Sequence, residues 1–111
     1  MARYVLFFSY TSETWARMIG SPGDRTKAVR EVVESLGGSL ESLDWMLGPY
    51  DGMSIAEFAD STRVAAVSAM LMSTGAFKSV QTHELLTQDQ LVQAMGLAGS
   101  AGQAYRRPGQ A

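Results

Sequence analysis

Tyr4-Val5-Leu6-Phe7-Phe8 is hydrophobic at every position. A strand covered on one face alternates apolar and polar residues, because successive side chains point to opposite sides. This run does not alternate, so both faces of the strand it forms, Arg3 to Tyr10, are expected to be covered. Helices of the same chain supply one cover. In a chain of 111 residues, the natural second cover is another copy.

The rest of the pattern follows that strand. Thr11-Ser12-Glu13 opens a helical stretch, with a hydroxyl cap and an acid in the first turn. Gly20-Ser21-Pro22-Gly23 interrupts it, and Asp24 caps a second helix. Ala28, Val29, Val32, Val33 and Leu36 form one stripe at helical period, and Gly37-Gly38 ends it. A strand at Ser39–Leu47 and a third that ends at Phe58 are joined by the turn Gly48-Pro49-Tyr50-Asp51-Gly52, and their closeness makes them a hairpin. A helix from Thr62 to Thr74 is apolar nearly all round, which predicts deep burial. A fourth strand, Phe77–Leu86, leads to a short helix with Thr87 and Gln90 as a capping box. The order βαββαβ defines an α+β, ferredoxin-like fold: a four-stranded antiparallel sheet with helices on one face. Residues 1–97 form the domain. Residues 98–111, rich in Gly, Ser, Gln and Pro, are expected to be a flexible tail.

Composition narrows the function. The chain is 46% hydrophobic and 18% charged, with net charge -2 and no cysteine. The longest basic run is Arg106-Arg107, which argues against nucleic acid, whose binding neutralises several phosphates. Disulfides and thiolate metal sites are excluded. The apolar stretch near the N-terminus is too short for a signal peptide or a membrane span. A cytoplasmic protein without membrane association is the default expectation.

Trp45-Met46-Leu47-Gly48-Pro49-Tyr50-Asp51 resembles the signature of the GYD-domain family. Tyr4-Val5, Tyr10-Thr11, Asp24-Arg25, Ser35-Leu36-Gly37-Gly38, Ala56-Glu57, Asp60, Val80, Thr82 and Glu84 extend the likeness over roughly residues 3–87. The resemblance implies a dimeric α+β barrel, in which two ferredoxin-like sheets pack face to face, and brings no established reaction. Three positions depart from the family pattern. Pro49 lies inside the signature, Gly52 replaces a β-branched residue, and His83 stands where an acidic or polar residue is usual.

Candidate chemistry gathers on the strands. His83, the single histidine, shares a strand face with Ser79 and Gln81. It either lines a barrel lumen as an acid or base or sits on an exposed edge strand. Asp44 and Ser42 share a face opposite Leu43, Trp45 and Leu47. If the hydrophobic trio meets the helices, Asp44 points to the lumen or to solvent. Tyr50 either presents a phenol at a cavity mouth or belongs to a structural hairpin with Asp51. Tyr10 and Trp45 belong to an aromatic set that builds core, interface or pocket wall. The face of Ser54 depends on register. The expected site therefore has His83 and Asp44 as catalytic candidates. Tyr10, Ser42, Trp45, Tyr50, Ser54 and Gln81 are its ligand-binding candidates. No metal and no cofactor are expected.

Two function classes fit. One is a homodimer binding a small organic molecule between its sheets. The other is a cofactor-independent enzyme of oxygenase, isomerase or cyclase type using His83. A structural assembly subunit is a further alternative.

Overall fold

The computed structural model describes residues 1–110. Its elements are β1 (Ala2–Tyr10), α1 (Ser12–Gly20), α2 (Thr26–Ser35), β2 (Ser39–Trp45), β3 (Gly52–Phe58), α3 (Ser61–Ser73), β4 (Phe77–Leu85) and α4 (Gln88–Ala104). The strands form one antiparallel sheet in the order β2-β3-β1-β4. That is the ferredoxin-like order, with an extra helix because Gly20–Gly23 splits the first connection. β3 and β1 are the inner strands, and β2 and β4 are the edges.

Registers assign every strand residue to a face. Tyr4 opposes Ala56, and Leu6 opposes Ser54. Tyr4, Leu6 and Ala56 join Phe58, Val33, Val64 and Val67 in the core between sheet and helices. A bulge in β2 between Leu40 and Ser42 resets the alternation. Leu40 packs on the core, while Leu43 opposes Ser54 and Trp45 opposes Gly52 on that same face. Without the bulge, Leu40 and Leu43 could not point the same way.

Gly52 explains its own departure from the family pattern. A Cβ there would lie 2.5 Å from the Phe8 ring and 3.1 Å from Trp45. The aromatics occupy the space a β-branched side chain would take.

Two expectations are corrected. The helix rich in Val, Ala and Met, α3, is not deeply buried: only Val64 and Val67 are. Met70 and Met72 are 38% and 46% exposed, because the sheet covers one side of α3 and, among the described residues, nothing covers the other. The last helix does not stop at residue 97. It runs to Ala104, with the Thr87–Gln90 capping box formed as the sequence indicates. Every residue of α4 is exposed. Of the segment expected to be a tail, Ala111 lies outside the described residues.

Candidate functional site

The eight candidate residues divide between the two faces of the sheet. On the helix-free face, Asp44, Met53, Phe7 and Gln81 form one cross-strand row. Ser42, Ile55, Val5 and His83 form the next. Tyr50 reaches over this face from the hairpin: its hydroxyl donates to Gln81 Oε1 at 2.8 Å, and its ring lies 5.2 Å from Phe7. His83 stands edge-on to Phe7 at 5.9 Å and is exposed. Asp44 and His83 sit on opposite edge strands in different rows, three strand intervals or about 14 Å apart. They do not meet within one chain.

Tyr10, Trp45 and Ser54 lie on the other face. Here an aromatic cluster closes one end of the core. The Tyr10 ring lies 4.9 Å from Phe77, 5.8 Å from Trp15 and 5.9 Å from Trp45. Phe8 adds T-shaped contacts to Trp45 and Phe77 at 5.6 and 5.9 Å. Edge-to-face packing of this kind adds to the area each ring buries.

Asp51 holds the cluster in place. Its Oδ2 accepts the Tyr10 backbone N–H at 2.8 Å and the Trp15 indole N–H at 3.0 Å. The Asp51 amide donates to the Phe8 carbonyl at 2.9 Å. One residue of the Gly-Tyr-Asp signature thus ties the hairpin to the end of β1 and to α1. This role in the hairpin is structural, and turn chemistry favours aspartate for it. At the start of α1, Thr11 caps the Thr14 N–H, and Thr14 Oγ1 donates to the Ala76 carbonyl at 2.9 Å.

Between sheet and helices opens a cleft of about 880 Å³. Its floor is sheet: Leu6, Phe8, Tyr10, Ser54, Ala56 and Phe77. Its walls come from α1, α2 and α3 and include Trp15, Arg17, Met18, Arg25, Val29 and Leu71. A second recess of about 620 Å³, bordered by Trp45, Met46 and Asp51, shares Trp15, Met18, Asp24 and Arg25 with it. Ser54 is the polar residue of the floor and only 8% exposed. Its hydroxyl has no hydrogen-bond partner in the protein among the described residues, yet no buried side-chain polar atom is sealed off unpaired. The hydroxyl therefore opens onto the cleft.

Burial pushes the Tyr10 phenol above its ordinary pKa; the Arg25 guanidinium opposes this, and Asp51 reinforces it. Tyr10 is thus a neutral hydrogen-bonding group at neutral pH. Trp15 and Arg25 have no place among the candidates read from sequence. Trp15 sits in an unremarkable short helix, and Arg25 in a loop before α2; only the fold brings them to the cleft. Among the described residues, no group of three or more His, Cys, Asp or Glu is placed to hold a metal. None of the described helices is long and apolar enough to cross a membrane.

Strand order and helix placement define a ferredoxin-like α+β domain. The fold is shared with a crystal structure of TTHA0845 from Thermus thermophilus. The TM-score is 0.52 and the identity 15%, over 78% of this chain and 95% of that one. Residues 4–95 match the GYD domain, and the chain belongs to the GYD-domain family. No curated protein sequence matches it significantly.

Proposed function

We propose that this GYD-domain protein binds a small organic molecule in the cleft between sheet and helices and pairs with a second copy through the open sheet face. The observation that carries the binding reading is the Ser54 hydroxyl on an apolar floor. Because that hydroxyl opens onto the cleft and has no protein partner among the described residues, it is free to hydrogen-bond whatever enters, ligand or water. Pockets for small organic molecules combine such an apolar lining with a few placed polar groups. Phe7, Ile55 and Val5 supply an apolar centre to the open face, which supports the pairing.

Binding is tested by titrating a panel of flat, neutral fragments while following backbone and indole N–H signals by NMR. The expected response is at Trp15 and around Ser54, and Ser54→Leu, which fills the floor, abolishes it. Responses at Gln81 and His83 instead would move the ligand to a cavity between paired sheets. A panel without any response would remove the binding reading.

Pairing is tested by sedimentation. The wild-type protein is expected at twice the 12.0 kDa chain mass. Phe7→Glu, which places a charge in the middle of the open face without touching the core, is expected to sediment as a folded monomer. A stable wild-type monomer at micromolar concentration would end the pairing proposal.

The enzyme reading has less support. His83 is exposed, rests against Phe7, and has no carboxylate hydrogen-bonded to it among the described residues.

A further inference from the structure

Two carboxylates and two guanidinium groups surround the cleft mouth, and they are not equally free. Asp51 is occupied by the Tyr10 amide and the Trp15 indole. Asp24 accepts the Thr26 amide at 2.8 Å, and the Thr26 hydroxyl together with that amide holds its carboxyl below the usual range. Arg17 leans on Thr14 Oγ1 at 3.5 Å. Arg25 makes no ion pair among the described residues; the ion pairs found are Arg3–Glu41 and Arg63–Asp60. It borders both recesses, beside the rings of Tyr10 and Trp15. The cleft therefore offers aromatic walls, a floor hydroxyl and, at the rim, a guanidinium that touches the Tyr10 phenol but has no carboxylate paired to it among the described residues.

We infer that the cleft is selective for flat aromatic carboxylates. The ring packs against Tyr10 and Trp15, and the carboxylate meets Arg25 at the mouth. Guanidinium and carboxylate match as two parallel N–H donors to two oxygens, a geometry an amide cannot reproduce. The ring contributes apolar burial and edge or face contacts with the cluster. This inference rests on the binding reading above and adds the class of ligand to it.

The test compares 2-naphthoate with its neutral isostere 2-naphthamide by equilibrium dialysis at low salt. The wild-type protein is expected to bind the acid about three- to tenfold more tightly, the range for a charge-assisted contact at a solvated rim. Arg25→Gln is expected to erase the preference, so that acid and amide bind the variant alike. Arg25→Lys, which keeps the charge but not the fork, is expected to retain part of the preference. Far-UV circular dichroism confirms that each variant is folded. Equal binding of acid and amide by the wild-type protein would overturn the inference and leave the binding reading standing. A preference that survives Arg25→Gln would also overturn it. Binding of neither probe would overturn both.

Discussion

Phe58→Ala is expected to lower the free energy of unfolding by about 3–5 kcal/mol, the range for a buried phenylalanine whose cavity cannot collapse. Phe58 is 1% exposed. Its ring lies edge-on to Tyr4 at 6.3 Å and so close to Gly38 that a Cβ there would stand 2.7 Å away. Val33 of α2 and Val64 and Val67 of α3 complete the cluster. Two helices and the sheet meet at this ring, so no single element can move in to fill the space. Against a typical total of about 5–15 kcal/mol, the loss is large enough to leave part of the protein unfolded at physiological temperature. Urea denaturation checks it. A midpoint equal to that of wild type would mean that the helices do not close over this end of the sheet.

Asp51→Ala comes second, at about 2–4 kcal/mol. It orphans two donors, the Tyr10 amide and the Trp15 indole, and each buried unpaired donor costs about 1–3 kcal/mol. The substitution also frees α1, whose attachment to the hairpin runs through Trp15. Loss of near-ultraviolet dichroism from the aromatic cluster is expected alongside the lowered midpoint. Asp51→Asn keeps one side-chain oxygen, which can stand where Oδ2 accepts both N–H groups, and should lose less than Asp51→Ala. An Asp51→Ala protein as stable as wild type would show that the hairpin is held by its backbone contacts alone.

Most of the fold was legible because its largest signals are local. The uninterrupted β1 run, the stripe Val29–Val33 and the glycine-bounded hairpin each name their element without knowledge of the others. Facing of side chains was legible only where no irregularity intervened. Asp44, Gln81 and His83 fall on the open face as alternation along their strands suggests. Leu40 and Leu43 share a face only through a bulge, which has no sequence mark here. Ser54 could not be assigned until its partner Leu6 was known, because register is a relation between two strands.

The candidate site divided for the same reason. Tyr10, Trp45 and Ser54 are polar or aromatic residues on strands, as are Ser42, Tyr50-bonded Gln81 and His83. Composition does not separate the two faces of one sheet. Arg25 and Trp15 come from helix and loop segments that a strand-centred reading passes over. The end of α4 was hidden by Gly96, Gly99 and Gly102, each of which resembles a stop. Glycine lowers helix propensity without forbidding the helix, and none of the three meets a neighbour within 4 Å.

The high exposure of α4 bears on how the protein responds to denaturant. The slope of unfolding free energy against urea follows the surface newly exposed on unfolding, and a helix largely in solvent adds less than a packed one. A single chain of 111 residues should therefore unfold with a smaller slope and heat-capacity change than a fully packed domain of that length. If a second copy covers Leu91, Val92 and Met95, which are 43%, 61% and 57% exposed in one chain, both quantities rise to those of the whole sequence. The slope itself then reports whether α4 is packed.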